Sequence, residues 1–417
     1  MYNWKTVLLT LGVLVGLKIW SPYLIDNIKW SYFDVLHQQK ESQLIEDIVL
    51  VDIDEKSLDK YGQYPWPRDI YADIMLENHY TNTHVFTQVF NQPDRFGGDN
   101  KFSEGLINRL SILSAAPTSQ KDTGSAPYVK TSVFGGGDIK ESIWNFSGIS
   151  APIEILQKNT YGVGVTVSTP PLPDTPNFDG TVRSAPLIVS ANDQIYPSVA
   201  LETLRAFYDQ PNYQTRVTPE VGIEWIRMGR QPPIQTTSTS DVMITYWNNF
   251  NRVSASELNE SYKSKILIWG MTAEGFNNPV STPKGVMYPH EVQANLLQTV
   301  ISGETIQNNF LLDFVEIVLV IGLGLLILLL VYQTPTFVSG ILSIGTIGLS
   351  VGISYWLWIE YLILFDALYS ALTGIVVFGH ASFNKYFITY KLKEQIKGQF
   401  KKYLSPEMVD KLANNPE

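Results

Sequence analysis

The 417-residue chain contains no cysteine. That one absence excludes disulfides, thiolate metal sites and cysteine nucleophiles together. Histidine is scarce, and His37, His79, His84, His290 and His380 show none of the i, i+4 or paired spacing of a zinc site. Concentrated positive charge is missing outside the C-terminal tail. With a formal net charge of −10, the chain is not expected to have a nucleic-acid partner. In the middle of the chain no G-x-S-x-G frames a serine nucleophile, and Gly135-Gly136-Gly137 lacks the helix-opening spacing of a nucleotide loop. There is no internal repeat, and nothing in the middle of the chain reads as catalysis. A domain without disulfides must bury its own core, for which the roughly 270 residues between the apolar ends suffice.

What is present is a polar, acidic middle between apolar ends. Val7 to Ile25 is an apolar run broken by Lys18, just the roughly 20 residues a helix needs to cross the hydrocarbon. Lys18 is expected to snorkel to the interface. A cleaved signal peptide is the competing reading, but Lys5 alone makes a thin charged region. The bulky Trp20-Ser21-Pro22-Tyr23 also offers no small-residue cleavage site, so an uncleaved anchor is expected. At the other end, Phe314–Val331, Phe337–Trp358 and Tyr361–His380 form three candidate spans with tight joins. Four crossings put both termini on one side. Between Lys385 and Lys402 six lysines face one glutamate, Glu394, whereas the Trp358–Tyr361 hairpin offers only Glu360. The positive-inside rule then makes the tail cytoplasmic and the middle exported. The ionisable Glu316 and Asp366 within the spans are expected near the exported interface rather than on an ion pathway. The expected organisation is an N-terminal transmembrane helix (1–28), an exported domain (29–305), three transmembrane helices (306–383), a cytoplasmic helix (384–404) and the start of a linker (405–417).

The exported middle alternates strand and helix patterns. Ile48–Asp54 is a near-continuous apolar strand of the kind buried on both faces, and Glu55–Leu58 enters a helix. Pro65-Trp66-Pro67-Arg68 is a rigid turn, because each proline fixes its own φ and extends its predecessor. Helices are expected at Trp30–Ile45, Asp69–His79, Phe102–Leu113, Pro197–Tyr208 and Glu291–Ile301, the fourth with Val199, Leu201, Leu204 and Phe207 on one side. Strands are expected at Thr83–Phe90, Tyr128–Phe134, Tyr161–Ser168, Ser184–Val189, Ile223–Met228, Val242–Trp247 and Lys265–Trp269. The pattern predicts an α/β domain with a mixed or largely parallel sheet. Asp52 and Asp54, two residues apart at the end of a strand, share a face and could hold a cation or polar ligand at the sheet's carboxyl edge. The competing reading is that they cap the next helix and face water. Trp66 and Arg68 line a pocket in one reading and are packing in the other.

These residues, assembled, resemble the type-2 CHASE sensor domains attached to bacterial cyclases and histidine kinases. The resemblance covers about residues 45–300. It rests on Ile48–Leu58 with Pro65-Trp66-Pro67-Arg68, on Asp179-Gly180-Thr181-Val182-Arg183 with Tyr196–Leu201, and on Lys265–Ala273, Thr282-Pro283 and Val292–Leu296. Asp52, Asp54, Trp66, Arg68 and Arg183 are thereby the candidate ligand-binding residues. The sequence departs from the family at Thr87-Gln88, where an acid is usual, and at Asn277-Asn278 and Tyr288-Pro289-His290. The tail Phe400–Val409 resembles the segment leading into class III adenylate cyclases. That resemblance implies a receptor and transducer region, homodimeric and membrane-embedded, with an exported-side ligand that it does not identify. It implies no cofactor in this chain, with Mg or Mn belonging to a catalytic domain that these residues do not include. Phe387, Tyr390, Ile396, Phe400 and Tyr403 form an apolar stripe for a partner helix, and Ser405-Pro406 caps the next helix; these seven are the expected signal relay. A membrane-surface amphipathic helix is the plainer reading of the same stripe. A non-enzymatic adhesion or assembly protein, and the sensor of a histidine kinase, remain the alternative functions.

Overall fold

The computed structural model describes residues 4–20, 23–77, 82–107, 109–120, 131–173, 175–306 and 310–400. The chain divides into two compact units, Met1–Leu36 with Gln307–Glu417, and His37–Ile306. Residues 29–36 therefore fall with the helical unit rather than with the domain expected to begin at 29. Two helices, α1 (Trp4–Trp20) and α2 (Tyr23–Gln39), open the chain.

In the His37–Ile306 unit, β1 (Gln43–Ile53) leads to α3 (Glu55–Tyr61), α4 (Arg68–Glu77) and β2 (Thr83–Phe86). Then follow α5 (Asp99–Leu106), β3 (Ser111–Thr118), α6 (Ile139–Ser142), β4 (Gly148–Ser150), α7 (Glu154–Asn159) and β5 (Gly162–Val165). Helix α8 (Val199–Phe207), β6 (Asn248–Ser254), β7 (Ile266–Met271) and α9 (Pro289–Ser302) complete the frame. The main sheet runs β6-β1-β7-β2-β3-β5, every pair parallel. The short β4 joins the distal half of β3 antiparallel, so the sheet is mixed. The alternation along β1 sorts the core into two layers, because successive side chains of a strand point to opposite faces. Ile48 and Leu50 pack with Leu201 and Leu204 of α8 and Leu296 and Leu297 of α9. Val49, Val51 and Ile53 pack with Tyr71 and Ile74 of α4, Phe102 and Leu106 of α5 and Leu156 of α7. Burial on both faces is why β1 and β7 read as continuous apolar runs.

Several expected elements shift. The expected helix 102–113 stops at Leu106, and Ser111–Thr118 is instead an interior strand. The expected strand 83–90 ends at Phe86, and residues 87–90 turn away at the sheet edge. Val242–Trp247 contributes only the end of Asp241–Met243, while the polar stretch Asn248–Ser254 forms the edge strand. Phe207 is 58 % exposed, because α8 is buried on all sides up to Ala206 and ends at Phe207.

The other unit packs α1 with α10 (Phe310–Gln333), α11 (Thr336–Tyr361) and α12 (Ala367–Phe400). Among the described residues, Leu311–Gln333 and Thr336–Tyr361 are long and apolar enough to cross a membrane; Trp4–Trp20 with Ile25–Gln39, bent by 74°, makes a third if the pair is one broken span. Of the expected N-terminal run, α1 covers the part up to Trp20, and residues 21 and 22 lie outside the described residues. The last helix does not start at Tyr361, which closes α11; Leu362 takes a left-handed conformation and α12 opens at Ala367. Helix α12 is continuous through the expected boundary at 383/384. It buries Ser370, Thr373 and Asn384, which dilute its apolar character. It runs antiparallel to α1, with Asn384 donating to Thr6 (2.9 Å), His380 and Thr10 joined at 2.9 Å, and Lys18 donating to Asp366 (2.7 Å). Lys18 therefore does not snorkel: Asp366 and Glu316 are fully buried among the helices and both pair with it.

Candidate functional site

Two hollows lie at the carboxyl edge of the main sheet, where open parallel sheets form ligand crevices. The first follows β2. The Pro65-Trp66-Pro67 turn delivers Trp66, 4 % exposed, into the core, with its Nε1 donating to the Gly62 carbonyl at 2.8 Å. Its ring meets Tyr61 and Tyr71 at centroid distances of 5.3 and 5.6 Å. Arg68 is buried at the start of α4. Its guanidinium pairs with Asp99, donates to the Gln92 carbonyl and lies over the Phe90 ring. Its backbone N–H donates to Asp94 (3.0 Å), which also accepts from the Gly98 and Phe96 N–H groups. Burial pushes the Asp94 carboxyl up, but these backbone donors and the nearby Arg68 charge hold it below its ordinary value. Gly98 is required here: a Cβ would fall 2.6 Å from the Asp69 nitrogen. Arg68 thus organises the 91–99 loop into the wall of a hollow of about 340 Å³.

Tyr64, Trp66, Tyr71, Phe90 and Gln88 line the interior of that hollow, and Arg95 stands at its rim. Both amide atoms of Gln88 are buried without a hydrogen-bond partner among the described residues. Thr87-Gln88, singled out in the sequence as a departure from the family, thus lies between the buried β2 and Phe90.

The second hollow, about 400 Å³, is lined by Asp52, Asp54, Lys56, Arg252, Glu257 and Tyr262. The structure brings both predicted acids to it, with different work. Asp54 caps α3: it accepts from the Ser57 N–H (3.0 Å) and from the hydroxyls of Ser57 and Ser254 (2.7 Å each). Asp52 is held by Arg252 through two bonds of 2.9 and 3.0 Å and lies 2.9 Å from His290 Nε2. Burial raises the Asp52 carboxyl, yet His290 and Arg252 outweigh it and keep the group below its ordinary value. Arg252 also pairs with Glu291 at 3.1 Å, so β1, β6 and the first turn of α9 are joined through one carboxylate. The fully buried His290 ring occupies the space left by Gly270, where a Cβ would stand 2.0 Å from His290 Cγ.

Arg183 lines neither hollow. It is buried in the 176–183 turn, bidentate to Asp179 at 2.8 and 2.9 Å and donating to the Pro176 carbonyl at 2.7 Å. Among the described residues no three acidic or histidine side chains are grouped to hold a metal. Of the expected relay residues, Phe387 stacks on Phe383 at 4.5 Å, and Tyr390 and Ile396 are 52 % and 45 % exposed. Phe400 closes α12; Tyr403, Ser405 and Pro406 lie outside the described residues.

No curated protein and no solved structure matches the chain. The sequence pattern of the CHASE2 domain matches residues 7–331, which takes in α1 and α10 as well as the whole α/β unit and is wider than the 45–300 resemblance. With well over half of its length matched, and with the family's opening signature forming β1, α3 and the wall of the first hollow, the chain belongs to the CHASE2 family of extracellular sensor domains.

Proposed function

We propose that this chain is the sensing and transducing region of a membrane-bound class III adenylate cyclase, in which an exported-side ligand acts through paired helices on cyclic AMP synthesis. One observation carries the reading. Helix α12 runs unbroken for 34 residues from the buried Asp366 end to Phe400, about 50 Å at the usual rise. A displacement of its first turns is therefore delivered to its far end. That far end is basic and presents Tyr386 and Tyr390, one turn apart on one face, to solvent, each more than half exposed. A second copy of the same helix is the partner that such a stripe fits.

The antiparallel contacts of α1 with α12 support four crossings, with both termini cytoplasmic and the sensor domain exported. In that arrangement Lys18, Glu316 and Asp366 lie together at the exported end of the bundle, and Asn384 and Lys385 at the cytoplasmic end. The ligand acts at the carboxyl-edge hollows. Metal ions, Mg or Mn, enter only through the cyclase domain.

Cysteines introduced singly at positions from Phe387 to Ile396 in the membrane-embedded chain test the pairing. Crosslinked dimers at positions spaced by three and four residues support it; uniform or absent crosslinking overturns it. The encoding sequence beyond Glu417 tests the output. A cyclase core with paired metal-binding aspartates supports the reading, and a phospho-accepting histidine helix or a stop replaces it with a kinase sensor or an assembly protein.

A further inference from the structure

A third hollow, about 610 Å³ and wider than either of the two at the carboxyl edge, opens at the opposite, amino edge of the main sheet. It is lined by the first residues of β1, the start of β7 and the last turns of α8 and α9. Its apolar lining is Leu44, Ile48, Leu204, Phe207, Leu297 and Ile301. Leu44 and Phe207 are more than half exposed and Ile301 is 41 % exposed, so three large apolar side chains stand open to solvent around one concavity. Single apolar residues on a surface need no explanation, but their convergence on a hollow marks a binding site. The backbone is irregular on both strands. Ile45 and Val49 of β1 pair with adjacent residues of β6, Phe250 and Asn251, which leaves Glu46, Asp47 and Ile48 bulged, without partners in β6. Ser264, just ahead of β7, has a left-handed φ of 62°. Such departures from regular geometry collect at binding sites.

Charge narrows the choice of ligand. No lysine, arginine or histidine lines the hollow, whereas two acids do, Glu46 and Asp47. Asp47 is shared with Lys265 at 3.4 Å. Glu46 is exposed and makes no ion pair among the described residues. Both helices end at the hollow, and a helix carries partial negative charge at its C-terminus. In α8 the basic Arg205 is committed to Glu202, and α9 has no basic residue in its last turn. An anion therefore meets repulsion here, while a cation is attracted by a carboxylate and two helix ends together. The volume of about 610 Å³ is in the range of pockets for small organic ligands.

We propose that this amino-edge hollow binds an apolar amine, its hydrocarbon or aromatic body against Leu44, Phe207, Leu297 and Ile301 and its ammonium group at Glu46. β1 is the first strand after α2, and α9 is the last helix before α10. An occupant therefore bears on both segments through which the chain joins the domain to the helical unit. The site is separate from the carboxyl-edge hollows and does not depend on the output assigned to the chain.

4-Phenylbutylamine is the probe. Because the chain has no cysteine, Gln298→Cys places a single thiol in the lining of the hollow. Its reaction with N-ethylmaleimide, in the full chain in uncharged detergent at pH 7, reports occupancy. The amine should slow that reaction saturably, with a half-effect below about 1 mM. 4-Phenylbutyrate, a similar body of opposite charge, should need about tenfold more. In the same background Glu46→Gln should weaken the amine about threefold, the scale of one exposed charge, and leave 4-phenylbutanol unchanged. Phe207→Ala should weaken amine and alcohol alike, about fivefold. Both substitutions fall at exposed positions, where the fold tolerates them. Glu274→Cys, exposed at the carboxyl edge, is the control thiol and should not be protected. Absence of protection up to about 10 mM overturns the proposal, as does protection indifferent to Glu46→Gln, equal protection by 4-phenylbutyrate, or equal protection of Glu274→Cys. A Gln298→Cys thiol that reacts only in denaturant also overturns it. A rate that then rises on diluting the protein assigns the hollow to a second copy of the chain, and one that rises with added detergent assigns it to bound lipid.

Discussion

The Lys18 ammonium lies 2.7 Å from Asp366 and 3.0 Å from Glu316, so one cation from α1 serves two fully buried carboxylates, one just before α12 and one in α10. Lys29 adds a second cation, 3.0 Å from Asp313 and 3.8 Å from Glu316. Removing one partner of a buried ionic group leaves uncompensated charge, which typically costs about 3–5 kcal/mol. Lys18→Ala should therefore lower the melting temperature of the detergent-solubilised chain steeply. The triple neutral variant Lys18→Met, Glu316→Gln, Asp366→Asn should recover most of the loss, because removing the whole set also removes its desolvation cost. Equal melting of Lys18→Ala and the parent would sink this account.

In the sensor domain the Asp52–His290 contact makes a similar junction with a backbone requirement attached. Gly270→Ala places a methyl 2.0 Å from the His290 ring. The ring must move, and overpacking of this kind costs about 1–3 kcal/mol. Asp52→Asn keeps the shape but loses charge-assisted bonds to Arg252 and His290, with a similar expected cost. The pH sign follows from the depressed Asp52 carboxyl. Its contribution is present above the unfolded value of 3.8 and is lost as pH falls through the lower folded one. Denaturant midpoints at pH 7 and pH 3 test this: the Asp52→Asn deficit should shrink at the lower pH, and a constant deficit would contradict it.

The architecture was legible where burial is symmetric and opaque where it is not. β1 and β7 are apolar on both faces, so their composition betrays them; β3 reads Ser-Ile-Leu-Ser-Ala-Ala-Pro-Thr and carries no period to separate strand from helix. β6 is a polar edge strand whose partner is two hundred residues away in sequence, a pairing that no local pattern encodes. Asp52, Asp54, Trp66 and Arg68 stand out in the sequence because acids after a strand and a Pro-Trp-Pro turn announce themselves. Their contacts do not, since each depends on residues remote in the chain: Ser254 for Asp54, Arg252 and His290 for Asp52, Asp99 for Arg68. Lys18 looked like an interfacial lysine because its acids lie some three hundred residues further on.

Arg183 has a structural role within the 176–183 turn. Its side chain is 2 % exposed and spends both Nη atoms on Asp179 and the Pro176 carbonyl. A lysine keeps the charge but cannot reproduce the two-pronged geometry. Arg183→Lys is expected to destabilise the domain by about 1–3 kcal/mol in chemical denaturation. An unchanged denaturation midpoint would contradict this structural role.

His84 gives the sensor domain a pH dependence of opposite origin to that of Asp52. It sits fully buried on β2, where its Nδ1 accepts from the Trp269 Nε1–H at 3.2 Å, so the neutral ring carries its proton on Nε2. Burial, with the Arg109 charge adding to it, pushes its pKa from 6.5 down to about 3. Between those values the unfolded chain binds a proton that the folded chain refuses. The stability contribution is therefore complete above about pH 6.5 and is lost progressively as pH falls, at up to about 1.4 kcal/mol per pH unit. His84→Asn retains an acceptor near the Nδ1 position for Trp269 and removes the titration. Urea midpoints read from tryptophan fluorescence at pH 7.0, 6.0 and 5.5 isolate the effect, because carboxylates titrate lower and other histidines act in both proteins. The parent midpoint should fall across this window by about one proton's worth more than that of the variant. Parallel slopes would mean that the His84 ring is protonated within the fold, and that Trp269 does not donate to it.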